Sequence, residues 1–253
     1  RVLDIFRKHR VGVRHFAGSE GYGYGDDGRD TLESMVANLF GAQAAIVRPQ
    51  IASGTHALSL GLFGLLQPGD QLISAIGDPY DTLSDVIGIT GPVPGSLAEM
   101  GVNYAMVPPR EDGGLDVEGV LRALTPKTRV LLVQRSRGYS WRKALTSQDM
   151  RPLFDAVKRA RPDIYLYVDN CYGAFVTEDE PTMFGADVAV GSLIKNLGGG
   201  LAPTGGYIVG REAYVERAAY RLTIPGAGRE LGAALTDQRP FYQAIFLAPQ
   251  VVQ

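Results

Sequence analysis

Lys195 stands in "VAVGSLIKNLGGG" (188–200), between a short apolar run and three consecutive glycines. An amine set so close to a strand can act as a nucleophile toward an aldehyde; on its own it reads equally well as a solvated surface charge. Asp169 closes the apolar run "IYLYVD" (164–169) and is followed by Asn170. A carboxylate at the carboxyl end of a buried parallel strand faces a ligand crevice, and helix capping is its plainer alternative. Ser53, Gly54 and Thr55, in "QIASGTHAL" (50–58), lie between a strand pattern and an apolar helix pattern. Free backbone N–H groups at a helix start, two hydroxyls and a glycine suit a phosphate, although Ser53 could simply cap the helix. Tyr80 in "GDPYDTL" (77–83) offers a ring for stacking, and Ser192, three residues before Lys195, offers another hydroxyl.

Taken together, a phosphate loop, a strand-end carboxylate and then a lysine follow the order of a pyridoxal 5'-phosphate site. The lysine would hold the aldehyde, the carboxylate would keep the pyridine nitrogen protonated, and the helix start would anchor the phosphate. Other signals are weaker. Gly23, Gly25 and Gly28 form a G-x-G-x-x-G, but no strand precedes it, and Asp26 and Asp27 stand where a pyrophosphate needs positive potential. The segment reads as a flexible loop, with a loop presenting Tyr22, Tyr24 and Arg29 to a ligand as the alternative.

These residues need a scaffold. Seven apolar runs, at 44–48, 71–76, 102–107, 129–134, 164–169, 187–192 and 206–210, read as strands. Helical spacing recurs at 55–66, 81–89, 116–124 and 147–160. Residues 30–40 read as a helix opened by Asp30, with Glu33 completing a capping box. Such alternation predicts an α/β fold, a three-layer αβα arrangement around a mostly parallel seven-stranded sheet, with its ligand beyond the carboxyl ends of the strands.

The composition, with 45% hydrophobic and 21% charged residues and a net charge of −2, is that of a globular protein. No apolar run approaches the roughly 18 residues of a membrane span, and no secretion signal opens the chain, so a cytoplasmic protein is expected. Scattered Lys and Arg argue against a nucleic-acid surface. One cysteine, Cys171, excludes an internal disulfide framework, and His9, His15 and His56 lack metal-ligand spacing. The chain starts at Arg1 and stops within the apolar "FYQAIFLAPQVVQ", so it is expected to be part of a longer polypeptide. The expected division is an N-terminal segment and contacting loop (1–43), a cofactor-binding large domain (44–235), and the start of a connection to a smaller domain (236–253).

"GYGYGDDGRDTLE", "VRPQIASGTHAL", "GDPYDTL", "QRSRGYSWRKALT", "VDNCYG", "GSLIKNLGGG" and "TGGYIVG" occur in this order over nearly the whole chain. Together they resemble the methionine gamma-lyase-like family, also called aluminium resistance proteins, within the Cys/Met-metabolism group of fold-type-I pyridoxal-phosphate enzymes. The resemblance implies carbon–sulfur bond cleavage by elimination on a sulfur-containing amino acid. It makes Lys195 the cofactor lysine and proton shuttle, Asp169 the partner of the pyridinium nitrogen, and Tyr80 the stacking residue and an acid toward the leaving group. Ser53, Gly54, Thr55 and Ser192 would hold the phosphate. Tyr24 and Arg29 would reach the phosphate of a neighbouring subunit, which implies a homodimer or homotetramer with shared active sites. Leu197 departs from the family's proline after "KN". The arginine that grips the substrate carboxylate in related enzymes belongs to the smaller domain, so Arg135 and Arg137 are the candidates within this chain, with structural roles as the alternative. An aminotransferase or aldolase on the same fold, or a cofactor-binding protein without turnover, remain the rival readings.

Overall fold

The computed structural model describes residues 1–234 and 237–252. In chain order the elements are α1 (Val2–Lys8), α2 (Asp27–Leu39), β1 (Ala44–Arg48), α3 (Gly54–Leu65), β2 (Gln71–Ser74) and α4 (Asp81–Ile87). They continue with β3 (Asn103–Met106), α5 (Val117–Ala123), β4 (Thr128–Gln134), α6 (Ser147–Ala160), β5 (Tyr165–Asp169) and β6 (Val188–Ser192), and end with β7 (Gly206–Gly210), α7 (Glu212–Ala219) and α8 (Arg239–Val252). All seven predicted strands form, at or close to their expected bounds.

They make one sheet in the order β1-β7-β6-β5-β4-β2-β3. Four of its six pairings are parallel; β7 runs antiparallel to both β6 and β1. The reason lies in residues 193–205, which join β6 to β7. They hold only a short 3-10 turn (Asn196–Gly198) and no helix of the kind that usually carries the chain back for a parallel crossover. The loop therefore returns on itself above the carboxyl end of β6, and Lys195 rides on it. Gly198 is required there, since a Cβ would lie 1.4 Å from the Leu193 carbonyl oxygen.

Side chains alternate across the sheet with the period of two expected of strands. Leu131, Val133, Leu166, Val168 and Ala189 face a core shared with α2, α6 and α8, where Met35, Phe154 and Ile245 are buried. Val130, Leu132, Tyr167, Val188 and Val190 face the other core with Leu58, Leu62, Leu83 and Val215 of α3, α4 and α7. This is the expected three-layer arrangement. Among the described residues, no helix is long and apolar enough to cross a membrane.

Two local expectations are corrected. The second helix starts at Asp27, not Asp30, because Asp26 caps it by accepting from the Arg29 N–H. Glu33 closes no capping box. Its Oε1 turns inward, accepting from the Val47 N–H at 3.1 Å and from Arg48 Nε at 2.5 Å. The apolar C-terminal segment is helical: Phe241, Tyr242, Ala244, Ile245 and Ala248 form one buried face, and Tyr242 meets Phe6 and Phe16 edge-on. The expected boundary between residues 235 and 236 lies outside the described residues.

Arg48 is 1% exposed and also donates to the carbonyls of Leu231 and Arg229. Removing its carboxylate partner would leave a buried cation without its counter-charge. Glu33→Ala is expected to lower the unfolding free energy by about 3–5 kcal/mol in urea denaturation, whereas Arg129→Ala, at an exposed pair with Asp163, should cost no more than about 1 kcal/mol.

Candidate active site

The loops after β2, β4, β5 and β6 converge on a cavity of about 500 Å³, whose lining includes Tyr80, Arg135, Asp169, Cys171, Tyr172 and Lys195. Parallel strands bring these groups to one edge although they are far apart in sequence. Asp169, the last residue of β5, is 2% exposed. Its Oδ1 accepts from the Cys171 N–H at 3.1 Å, and the Cys171 thiol lies beside the same carboxyl. Burial pushes this carboxyl above the usual range, while hydrogen bonds from Cys171 and the charge of Lys195 pull it back.

Lys195 is half-buried, with Nζ 4.1 Å from the centroid of the Tyr172 ring. It has no hydrogen bond or ion pair through Nζ among the described residues. The neighbouring Asn196 fixes its loop, donating from Nδ2 to the carbonyl oxygens of Tyr172 at 2.8 Å and Ala174 at 3.1 Å.

Tyr80 precedes α4, its hydroxyl 3.0 Å from Thr55 Oγ1 and its N–H donating to Gln134 Oε1 at 3.3 Å. Burial and then the charge of Asp169 push the phenol above its ordinary range, so it keeps its proton. The α3 start adjoins the cavity through Tyr80 and Cys171 instead of lining it. Ser53 does cap this helix, accepting from the His56 N–H at 3.0 Å. A Cβ on Gly54 would come within 2.8 Å of Cys171 Sγ and 3.2 Å of Ser192 Cβ, so only glycine lets α3 approach this closely. Ser192 is fully buried and its Oγ accepts from the Ile194 N–H at 3.2 Å.

Beneath the cavity lies a buried polar network. Asn170 Oδ1 accepts from Arg135 Nη1 at 2.6 Å, and Asn170 Nδ2 donates to Glu180 Oε2 at 3.1 Å. The Phe175 N–H donates to Glu180 Oε1 at 2.9 Å, and Arg135 Nη1 lies 3.8 Å from Glu180 Oε2. Arg135 Nε donates to the Leu145 carbonyl at 3.1 Å. The Arg135 guanidinium thus supports the cavity wall, as its structural alternative required. Arg137 is exposed at the rim, its guanidinium 5.8 Å from the centroid of the Trp141 ring.

The methionine gamma-lyase family model matches residues 1–253. The chain belongs to this family. It is 50% identical over 253 residues to YnbB of Bacillus subtilis, an uncharacterised protein, covering 100% of this chain and 60% of that one. It is 30% identical over 233 residues to the L-methionine gamma-lyase of Pseudomonas putida, covering 89% of this chain and 51% of that enzyme. The crystal structure of a carbon-sulfur lyase involved in aluminium resistance from Clostridium novyi superposes with a TM-score of 0.95 at 47% identity, covering 99% of this chain and 60% of that one. The chain therefore spans about 60% of the length of these nearer relatives.

Of the residues singled out in the sequence, Tyr80, Asp169, Lys195, Arg135 and Arg137 meet at one cavity, with Ser53, Gly54, Thr55 and Ser192 beside it. Tyr24 and Arg29 line a different cavity of about 580 Å³ with Asp30, Glu33 and Arg229. Tyr24 is exposed. Arg29 is buried and donates from Nη1 to the carbonyl oxygens of Gly23, Glu230 and Gly232 within its own chain. Sequence reasoning passed over Cys171 and Tyr172 as site residues, although both follow the strand-end aspartate and the strand-end rule reaches them. Glu180 follows no strand end, and nothing in its surroundings marks it.

Burial raises the Glu180 carboxyl to about 7, against the pull of the Phe175 N–H and Arg135. Folding therefore favours its protonated form. The resulting stabilisation is complete below the ordinary glutamate range and is lost as pH rises through about 7. Urea midpoints measured from pH 4 to pH 8, an interval of about 4 units bracketing this titration, should fall less steeply for Glu180→Gln than for the native protein. An unchanged slope would contradict the assignment.

Proposed function

We propose that this chain forms the cofactor-binding part of a pyridoxal 5'-phosphate-dependent lyase that cleaves a carbon–sulfur bond of a sulfur-containing amino acid by elimination. The meeting of Asp169 and Lys195 at one cavity carries the reading. A buried carboxylate at the cavity matches a cationic ring N–H, and an unpaired amine matches an aldehyde. The cavity volume also suits a small aromatic cofactor with an amino-acid substrate.

When bound, pyridoxal phosphate supplies an aldehyde and a ring that accepts a carbanion's electrons. Lys195 Nζ would hold the aldehyde carbon and then carry a proton between substrate carbons. Asp169 would hold the ring nitrogen in its protonated form. Tyr80, oriented by Thr55 and Gln134 and retaining its proton, would pack against the ring and protonate the departing thiolate. Ser53, Gly54 and Thr55 at the start of α3, with Ser192, would bind the phosphate. Arg137, a rim cation without an ion pair among the described residues, would draw in the substrate carboxylate.

Within the proposal, residues 44–235 are the cofactor-binding body and 1–43 the segment that contacts a second subunit. Tyr24, being exposed, is the residue that would reach across in a shared site. The Pseudomonas putida relative, an L-methionine gamma-lyase, and the Clostridium novyi relative, a carbon-sulfur lyase, support the reaction type.

The test uses the full-length protein with the cofactor and a panel of L-methionine, L-cystathionine and L-cysteine. A 2-oxo acid, ammonia and a thiol should appear together, and Lys195→Ala should lower kcat/KM by at least about 10²–10⁴-fold, the range of a lost acid–base group. Amino transfer to an added 2-oxo acid without thiol release would instead identify an aminotransferase and reject the lyase.

A further inference from the structure

We propose that Tyr172 is a positioning residue for Lys195, its ring face receiving the lysine ammonium and holding it at the cavity until a carbonyl ligand takes its place. The centroid distance of 4.1 Å is well inside cation–π range. Lys195 Nζ has no other hydrogen-bond or ion-pair partner among the described residues, so the ring is its one close anchor there. The two side chains are kept in register by the backbone. Asn196, the residue after Lys195, donates to the carbonyl oxygen of Tyr172 itself and to that of Ala174, tying the β6–β7 loop to the turn after β5. The Gly173 N–H closes that turn by donating to the Asn170 carbonyl at 3.0 Å. The backbone of Tyr172 thus cannot separate from the Lys195 loop without breaking two hydrogen bonds from one side chain.

The chemical consequence concerns an amine waiting for an aldehyde. A flexible lysine samples many rotamers in water, and a ring that takes its charge confines it near the end of β5, where Asp169 stands. Before the aldehyde is taken up, the same contact shields the amine from wandering acylating and carbonyl reagents. The π face is what the contact uses, so the tyrosine hydroxyl is dispensable for it.

This inference deepens the reading of Lys195 as the reactive amine, and its test needs no cofactor. The full chain, dialysed free of carbonyl ligands, is labelled at near-neutral pH with trace acetic anhydride, and each lysine's acetylation is read by mass spectrometry relative to exposed Lys127. Tyr172→Leu should speed Lys195 acetylation by about two- to thirty-fold, the span of cation–π strengths from exposed to desolvated sites, and Tyr172→Phe should stay within about twofold of the native protein. Tyr172 is 56% exposed, so neither change opens a core cavity. Equal rates in the native protein and Tyr172→Leu would overturn the proposal, as would Tyr172→Phe behaving like Tyr172→Leu. Failure of the lyase reading would show in the product assay and leave this ratio untouched.

Discussion

Asn170 is fully buried, and its carboxamide joins three parts of the chain far apart in sequence. Its oxygen accepts from Arg135 after β4, and its nitrogen donates to Glu180 and to the Tyr207 hydroxyl of β7, the latter at 3.2 Å. The carboxamide has one arrangement that satisfies all three, since the cation needs the oxygen and the carboxylate needs the nitrogen. Fixing Asn170 fixes the direction of the chain immediately after Asp169, and with it the aim of the carboxylate. The backbone carbonyl of Asn170 also accepts from the Tyr207 hydroxyl at 3.2 Å. Low surrounding polarity makes each of these bonds strong and makes any unpaired member costly.

The cavity follows from this constraint and from one feature of topology. Parallel strands present their carboxyl ends together, which delivers the turn after β5 and the loop after β4 to the same edge. The antiparallel return of β7 keeps residues 193–205 above that edge as well, and Asn196 fastens them to the turn that Asn170 has set. Gly54 lets α3 close against Cys171 and Ser192 from the side. Asp169, Lys195 and Tyr80 are thus held by main-chain and amide contacts, leaving Lys195 Nζ unengaged by hydrogen bonds among the described residues.

Much of this was legible from residue pattern. β-branched and other apolar runs marked all seven strands, and the strand-end rule singled out Asp169 and Arg135. What escaped was long-range. The inward turn of Glu33 depends on Arg48, and the role of Arg135 depends on Asn170 and Glu180, so local spacing at Glu33 suggested a cap and local spacing at Arg135 suggested a ligand. The antiparallel sense of β7 depends on what a loop lacks, a crossover helix, and periodicity in the strand itself carries no direction. The helical C-terminal segment gains its stability from Phe6 and Phe16, far away in sequence.

The proposed function depends on Lys195 being the amine that takes the cofactor aldehyde. The most direct measurement is to incubate the full-length protein with pyridoxal 5'-phosphate, reduce with borohydride, digest, and locate the phosphopyridoxyl group by mass spectrometry. The group is expected on the peptide carrying Lys195 and is expected to be lost from the protein in Lys195→Arg. Stoichiometric labelling of another lysine in the native protein, with Lys195 unmodified, would contradict it.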